Sequence, residues 1–249
     1  MSAPGIILNN ISLAFAQQTL FNNLSCEFTG GQFTCLLGPS GVGKSSLLHL
    51  IADLYTHKSI QYSGTIRATD NQPIQTRIAY MAQTDSLLPW LNTEQNCLLG
   101  SRLRGEITSV KKIQARELLK RVGLKNPKQK IAELSGGMRQ RVALVRTLLE
   151  DKPIVLMDEP FAALDVITRL NLHDLAAELL QHKTVILVTH DPLEALRLGH
   201  VIYVLAGMPA QLGAPIIPAG TIPRAITAPT ILQLQGELLA RLQLAQELM

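Results

Sequence analysis

Charge is scarce in this chain of 249 residues, of which only 17% are Asp, Glu, Lys or Arg. Disordered proteins combine low hydrophobicity with high charge, so a hydrophobic share of 47% excludes that class. The length suffices for one large domain or two small ones with a real core. A charge content below the usual value of about 25% also indicates surface that a partner covers.

Cysteine is scarce as well. The chain has three, Cys26, Cys35 and Cys97, and no close pair of the C-x-x-C type. An odd number without such a pair argues against a disulfide framework and against a zinc site. We therefore predict that all three are buried thiols.

A long uninterrupted hydrophobic run is also missing. Residues 198–223 carry no Lys, Arg, Asp or Glu, but they are interrupted by Pro209, Pro215, Pro218, Gly207 and Gly213, whereas a spanning helix needs about 20 consecutive apolar residues. Residues 1–10 lack the basic stretch, apolar run and cleavage site of an export signal. These features predict a cytoplasmic protein without a membrane span.

Basic residues are concentrated in one part of the chain. Residues 102–146 contain 13 of the 23 basic residues and 3 acidic ones, so this segment carries +10 and the remainder −6. A basic sector can attract anionic lipid head groups or a polyanionic ligand. It can equally be a solvated helical face, and both interpretations stay open.

The hydrophobic pattern predicts an α/β fold. Apolar, β-branched runs separated by helical patterns are typical of parallel strands buried on both faces. Between residues 93 and 149 strand signals vanish and apolar residues recur at helical spacing, as they do at 47–54 and in a last amphipathic helix at 229–248. The predicted strands are 6–15, 31–37, 65–67, 78–81, 154–157, 185–188 and 201–205.

This order of elements predicts a single domain over residues 1–249. Its α/β core would comprise residues 1–83 and 147–205. A helical subdomain would be inserted at 84–146, and residues 206–249 would form a C-terminal tail and helix.

The octapeptide Gly38-Pro39-Ser40-Gly41-Val42-Gly43-Lys44-Ser45 fits the pattern GxxxxGKS between a predicted strand and a predicted helix. In such a loop the backbone amides and the helix N-terminus surround phosphate oxygens. Lys44 would neutralise β- and γ-phosphate charge, and the Ser45 hydroxyl would ligate Mg²⁺. The octapeptide therefore predicts a nucleotide cradle.

Two carboxylates, Asp158 and Glu159, end an apolar strand at the edge where open α/β sheets bind ligands. Asp158 would hold Mg²⁺ through its shell, and Glu159 would orient or deprotonate the attacking water. His190 follows another strand to the same edge and would sense the γ-phosphate. The other histidines, for which we predict structural roles, are His49, His57, His173, His182 and His200.

A second turn with free backbone amides is predicted at Ser135-Gly136-Gly137, which opens a helix. By physical reasoning alone it is either another phosphate-binding turn or a simple N-cap by Ser135.

In combination, these segments resemble the ATP-binding subunits of ABC transporters over residues 6 to about 205. GPSGVGKSS resembles the family's Walker A loop, LSGGMRQR its signature motif, IVLMDEP its Walker B strand and Ala163-Leu164-Asp165 its D-loop. Gln83 corresponds to the Q-loop glutamine and His190 to the switch histidine. The resemblance implies an ATP hydrolase with a P-loop NTPase core, a mostly parallel sheet, an N-terminal antiparallel part and an inserted helical subdomain.

The resemblance also implies a head-to-tail dimer that encloses two ATP molecules with Mg²⁺. Each ATP would lie between the Walker A loop of one copy and residues 135–137 of the other. The implied catalytic residues are Glu159, His190 and Gln83, and the implied Mg²⁺ ligands are Ser45, Gln83 and Asp158. The implied nucleotide contacts are Phe15 (adenine stacking, with core packing as the alternative), Gly38, Pro39, Ser40, Gly41, Val42, Gly43, Lys44, Ser45, Ser46, Ser135, Gly136, Gly137 and Asp165.

A finer resemblance is to importers of nitrate, sulfonates, taurine and thiamine-pyrimidine precursors, through YMAQ at 80–83, LLPWL at 87–91 and a tail with Pro223-Arg224. FTCLL at 33–37 resembles the hydroxymethylpyrimidine branch. This implies two permease subunits, indirectly a periplasmic or extracellular solute-binding protein, no nucleic acid, and a peripheral place on the cytoplasmic face of the bacterial inner membrane. Residues 87–90 would form an apolar permease-docking patch, unless Trp90 belongs to the core.

Two rival functions are weighed against this one. Soluble ABC ATPases that act on ribosomes or DNA usually carry two cassettes or a long coiled-coil insertion, and this chain has one cassette and no sustained heptad run. A regulatory nucleotide binder without turnover would not need the intact Glu159 and His190.

Overall fold

The computed structural model describes residues 3–15, 18–55 and 60–249 as two sheets with helices. The strands are β1 (Ile6–Phe15), β2 (Gln18–Phe28), β3 (Phe33–Leu37), β4 (Ile60–Ala68), β5 (Ile78–Met81), β6 (Ile154–Asp158), β7 (Thr184–Val188), β8 (Val201–Ala206) and β9 (Gln211–Leu212). The helices are α1 (Lys44–Ile51), α2 (Thr93–Cys97), α3 (Leu99–Leu103), α4 (Ser109–Arg121), α5 (Gly136–Leu149), α6 (Val166–Leu179), α7 (Pro192–Leu198) and α8 (Pro229–Glu247).

The main sheet has the order β5-β6-β7-β3-β8-β9, and its first five strands are parallel. Every residue of β3, β6 and β7 is buried. That burial explains why these strands are continuous apolar runs rather than alternating ones. The predicted α/β fold with a mostly parallel sheet is confirmed.

The N-terminal sheet is antiparallel, with the order β2-β1-β4. The interpretation of the sequence missed β2 and gave only 65–67 for the longer β4. Most of β4 is exposed, so it lacks the alternating apolar pattern that identifies a half-buried strand. In β2 the pair Asn22-Asn23 resembles a turn, and the register with β1 is irregular.

Helices α2 to α5 follow one another between β5 and β6, which confirms the helical character predicted for 93–149. Their N-termini are capped as the sequence permits, since the side chains of Asn92, Thr108 and Ser135 accept backbone hydrogen bonds. The division of the chain at residues 84, 147 and 206 stays a prediction.

The C-terminal helix α8 packs back on the core as predicted, through Ile231, Leu238 and Ala245 at heptad spacing. The segment before it is held by Arg224, which is buried and donates hydrogen bonds to the carbonyls of Ala219, Pro218, Leu196 and Gly199. Two of these carbonyls end α7, where a cation stabilises the helix.

Gly199, which follows α7, is tightly packed against the main sheet. A Cβ there would lie 2.7 Å from the Ala195 carbonyl oxygen, 2.9 Å from Ile202 Cγ1 and 3.1 Å from Cys35 Sγ. Any larger residue would therefore displace strand or helix atoms.

The cysteine prediction is only partly correct. Cys35 and Cys97 are buried free thiols, but Cys26 is half-buried, because it lies on the partly exposed strand β2. Burial raises the pKa of the Cys26 thiol to about 12.

Most of the histidines with predicted structural roles make structural contacts. His173 is buried beside Glu194, with Nε2 3.2 Å from Oε2, and its ring packs on Phe161. His200 Nδ1 accepts a hydrogen bond from the Phe33 amide, and His49 packs edge-on to Tyr80. The prediction for His57 lies outside the described residues. No helix in the described ranges has both the length and the hydropathy of a membrane span.

Candidate nucleotide site

The predicted site residues follow four neighbouring parallel strands. Residues 38–43 follow β3, Asp158 ends β6, His190 follows β7 and Gln83 follows β5. Because β5, β6, β7 and β3 are adjacent, their carboxyl ends form one edge of the sheet, the usual place for a ligand in open α/β sheets. The topology thus gathers residues that are up to about 150 positions apart in the sequence.

The shape of the predicted phosphate loop, residues 38–46, depends on its glycines. Gly38, Gly41 and Gly43 have φ of 147°, 83° and 108°, which other residues adopt only at a cost. At Gly43 a Cβ would also lie 3.0 Å from Leu20 and Phe21. The Val42 side chain is buried in the core, so only its backbone is available to a ligand.

Lys44 is only 8% exposed, and its side chain stabilises the loop that precedes it. Its Nζ donates to the carbonyl oxygens of Gly38 and Pro39, both at 2.8 Å. Burial lowers the pKa of Lys44, while Glu159 and Asp158 raise it. The ammonium group therefore lies between the loop and the two acids.

Asp158 is 2% exposed, and its Oδ1 has no hydrogen-bond partner among the described residues. Burial raises the pKa of this carboxyl group, and a hydrogen bond with Ser45 partly opposes that effect. A buried carboxylate oxygen without a partner is costly unless a cation compensates it. Together with the Ser45 hydroxyl it offers the hard oxygen ligands that Mg²⁺ prefers, so the residues fit the predicted metal.

Glu159 lies at the turn after β6 with a φ of 49°, a conformation uncommon for residues other than glycine. Its Oε2 is 3.3 Å from Gln83 Nε2 and 3.3 Å from His190 Nδ1. The three predicted catalytic side chains therefore meet at one carboxylate oxygen.

The remaining residues of the loop and the adenine position are peripheral to this group. Ser40 and Gly41 are exposed, and the Ser46 carbonyl accepts a hydrogen bond from the Tyr55 hydroxyl. The half-buried ring of Phe15 packs edge-on to Tyr55, with ring centroids 5.7 Å apart. Adenine stacking by Phe15 stays a prediction.

Residues 135–137, the signature turn, form a separate surface. Ser135 and Gly136 are exposed, and Ser135 Oγ accepts a hydrogen bond from the Met138 amide. Asp165 caps α6 by accepting from the Thr168 amide at 2.9 Å, which lowers the pKa of Asp165. Across the described part of the chain, no hydrogen bond or ion pair joins the signature turn to the phosphate loop.

The apolar segment 87–90 is only partly exposed. Trp90 is 74% exposed, which excludes a core role, but Leu87 is buried and Leu88 half-buried. The prediction of Leu87 as part of an exposed patch is therefore wrong. Buried Asn96 fixes this turn, because its side chain accepts from the Leu88 amide and donates to the Leu88 carbonyl.

Sequence reasoning missed a connection between α5 and residues 85–86, which directly precede this segment. Arg139 Nε donates to Asp85 Oδ2 at 2.9 Å, and Arg146 donates to the carbonyls of Asp85 and Ser86. Gln140, also on α5, was given no role, although it forms buried hydrogen bonds. The sequence carries no signal for contacts between partners so far apart.

Comparison with known proteins agrees with this geometry. Residues 21–162 match the ABC transporter family. An uncharacterised ABC transporter ATP-binding protein of Haemophilus influenzae is 43% identical over 94% of this chain and 97% of its own length. An aliphatic sulfonate import ATP-binding protein of Rhodococcus jostii is 42% identical over 81% of this chain and 79% of its own. A taurine import ATP-binding protein of Pseudomonas aeruginosa is 37% identical over the same shares.

Solved structures give the same result. A dimeric ABC cassette in a post-hydrolysis state with ADP and phosphate has a TM-score of 0.74 and 28% identity, covering 87% of this chain and all of the other. The family match spans more than half of the chain and one relative matches nearly all of it. The chain therefore belongs to the ABC transporter family, as one of its ATP-hydrolysing subunits.

Proposed function

We propose that this chain drives the import of a small solute by hydrolysing ATP against a membrane permease. The observation that carries the proposal is the meeting of Gln83 and His190 at Glu159 Oε2, on the sheet edge that also bears Lys44 and Asp158. The sulfonate and taurine import proteins at 42% and 37% identity support the transport direction.

In the proposed reaction Glu159 accepts a proton from water as the water oxygen bonds to the γ-phosphorus. The bond from that phosphorus to the β–γ bridging oxygen breaks, and ADP and phosphate are released. Lys44 stabilises charge on the β- and γ-phosphates, and His190 orients the γ-phosphate. Asp158, Ser45 and Gln83 would hold Mg²⁺, which supplies charge neutralisation when bound.

Ser135 and Gly136 of the signature turn are exposed, and among the described residues no hydrogen bond joins this turn to its own phosphate loop. We assign it to the nucleotide of a second copy, in a head-to-tail dimer. The dimeric cassette among the structural neighbours supports this arrangement. Each of the two sites is then completed only when the copies close.

The permease would dock on the inserted helices, on the cytoplasmic face of the bacterial inner membrane. Trp90 is the exposed aromatic nearest to Gln83 in sequence, and Leu103, Val110 and Ile113 are further exposed apolar residues on α3 and α4. Aromatic residues in such positions are frequent anchors of interfaces. The solute itself, delivered by a binding protein, would not contact this chain.

For the solute class, the relatives favour alkyl sulfonates or taurine over the hydroxymethylpyrimidine precursor suggested by residues 33–37. Either solute class would be imported by the same kind of transporter, and the ATPase chemistry of this chain would be the same.

Reconstitution tests the proposal. In liposomes that carry the permease, with this subunit and ATP inside and the binding protein and taurine outside, taurine should stimulate ATP hydrolysis and should accumulate inside, on the side that holds ATP. Hydrolysis unaffected by any permease, or stimulated by ribosomes or DNA, would contradict it. Stimulation by hydroxymethylpyrimidine but not by taurine would overturn only the solute class.

A further inference from the structure

Gln140 is a buried polar residue on α5, five positions after the signature serine and only 7% exposed. Its Nε2 donates to the Glu159 carbonyl oxygen at 2.9 Å. Its Oε1 accepts from the Ala163 amide, also at 2.9 Å. One side chain thus bridges the signature helix to the catalytic glutamate and to the first residue of the D-loop (163–165).

Gln140 contacts the backbone of Glu159, which has an unfavourable conformation. Glu159 has a φ of 49°, and the surrounding structure must maintain such a conformation. Apart from Gln140, the Ala162 amide reaches the same carbonyl at a longer distance of 3.4 Å. Because the carbonyl and the carboxylate belong to one residue, a rotation of this peptide would move Oε2 away from Gln83 and His190.

The same two segments also pack closely at the signature turn. A Cβ at Gly137 would lie 2.9 Å from the Ala163 carbonyl oxygen and 3.3 Å from Leu164 Cδ2. Close packing transmits displacement because interiors are dense and not easily deformed. A shift of the signature turn must therefore move residues 159–164 as well.

We propose that Gln140 is a positioning residue that couples the signature turn of a chain to the Glu159 carboxylate of the same chain. This rests on the proposed function, in which the two groups serve different ATP molecules of the dimer. Engagement of the signature turn with the partner's nucleotide then sets Glu159 for the chain's own nucleotide. Each chain thereby links the two sites.

Two substitutions of different character test the role. Gln140→Met keeps the volume and removes both hydrogen bonds, whereas Gln140→Glu keeps an acceptor for Ala163 and loses the donor to Glu159. In both, kcat should fall about 10- to 100-fold, as for a misplaced catalytic group. The KM for ATP should stay within about threefold, because the loss concerns only the chemical step.

Thr147→Val is the matched control. Thr147 is also buried on α5, but its hydroxyl donates to Ala143 within the helix. The Thr147→Val variant should have lower thermal stability, but it should not show the selective fall in kcat expected for the Gln140 variants. If Gln140→Met does not fold, Gln140→Glu alone decides the outcome.

The role also predicts dependence on Glu159. When Glu159→Gln is already present, adding Gln140→Glu should change the residual single-turnover rate by less than about twofold, since interacting residues are not additive. A full additional loss would contradict positioning of Glu159.

Heterodimers give the sharpest test. An otherwise unchanged chain, paired with one carrying Glu159→Gln, keeps both nucleotides and both signature turns but only one hydrolysing site, in which the first chain supplies Lys44 and Glu159 and the second supplies Ser135. Gln140→Met should abolish most of the hydrolysis when placed in the first chain and little when placed in the second. Equal losses, or the reverse pattern, would overturn the proposal.

The parent heterodimer separates this proposal from the proposed function. If Ser135→Arg added to the Glu159→Gln chain leaves hydrolysis by the verified parent heterodimer unchanged, the head-to-tail sandwich itself fails. If that addition abolishes hydrolysis but Gln140→Met in the first chain leaves activity normal, only the role of Gln140 fails.

Discussion

The edge of the main sheet that is predicted to bind phosphate and the segment inserted between β5 and β6 place their candidate functional groups differently. At the edge, Lys44 and Asp158 are nearly inaccessible and are fixed by the chain's own strands and carbonyls. In the inserted segment, Trp90 before α2, Leu103 on α3 and Val110 on α4 are exposed. Chemistry requires groups held in place, whereas recognition of a partner requires accessible apolar surface.

The two regions also differ in how their charge is balanced. The basic segment 102–146 looks like an isolated positive sector in the sequence, but Arg104, Arg116, Arg121 and Arg139 pair with acids outside it. Its charge is therefore partly neutralised by the rest of the molecule. This arrangement favours the solvated, ion-paired face over a polyanion-binding sector.

The largest effect should come from the edge. Glu159→Gln should retain ATP binding but slow hydrolysis about 10²- to 10⁴-fold, the usual contribution of a positioned general base. Steady-state hydrolysis measures the effect, with Glu117→Gln on exposed α4 as the control. Near-normal turnover would remove Glu159 from the reaction.

Lys44→Ala should weaken the binding of ATP. The loss of a charged donor to phosphate should weaken ATP affinity about 10- to 100-fold. Equilibrium binding is the measurement, and Lys120→Ala, which removes an exposed lysine, should leave affinity unchanged. Equal affinities of both variants would mean that residues 38–46 are not the cradle.

Trp90→Ala tests the other region. Basal hydrolysis by the isolated subunit should change little, while solute-stimulated hydrolysis and co-purification with the permease should fall about 10-fold or more, as expected for an interface anchor. Tyr62→Ala, an exposed aromatic of the N-terminal sheet, is the matched control. Equal losses of basal and stimulated activity would place the permease contact elsewhere.

The smallest effect is expected on the surface charges of α4. Lys112→Gln combined with Lys120→Gln should change basal ATP hydrolysis less than about twofold, because exposed charges contribute little. Binding of the subunit to vesicles with anionic lipids should be equally unaffected. A strong, salt-sensitive loss of vesicle binding would instead restore the lipid interpretation of the basic segment.

Much of the edge could be predicted from the sequence because each catalytic side chain follows a buried apolar strand. Asp158 and His190 are recognisable on that ground alone, without knowledge of strand order. Gln83 was identified only through the family resemblance, although the strand before it was predicted at 78–81, because an uncharged glutamine does not by itself indicate a ligand site. The meeting of three side chains at Glu159 Oε2 depends on the order β5-β6-β7-β3, which no local pattern contains.

Other features were beyond sequence reasoning for physical reasons. Strand β4 is mostly exposed. Its sequence therefore lacks the apolar alternation by which strands are recognised. The burial of Leu87 depends on the hydrogen bonds that the Asn96 side chain forms with the backbone of Leu88. Gln140 looks like any polar residue of a helix until its partners, Glu159 after β6 and Ala163 in the D-loop, are known.

The central claim is that the signature turn of one copy closes the nucleotide site of another. It is tested most directly by the mass of the Glu159→Gln variant in solution with ATP. We expect a dimer holding two ATP molecules, and we expect Glu159→Gln combined with Ser135→Arg to bind ATP and remain a monomer. A double variant that dimerises as well as Glu159→Gln alone, or a Glu159→Gln variant that stays monomeric while saturated with ATP, would contradict the account.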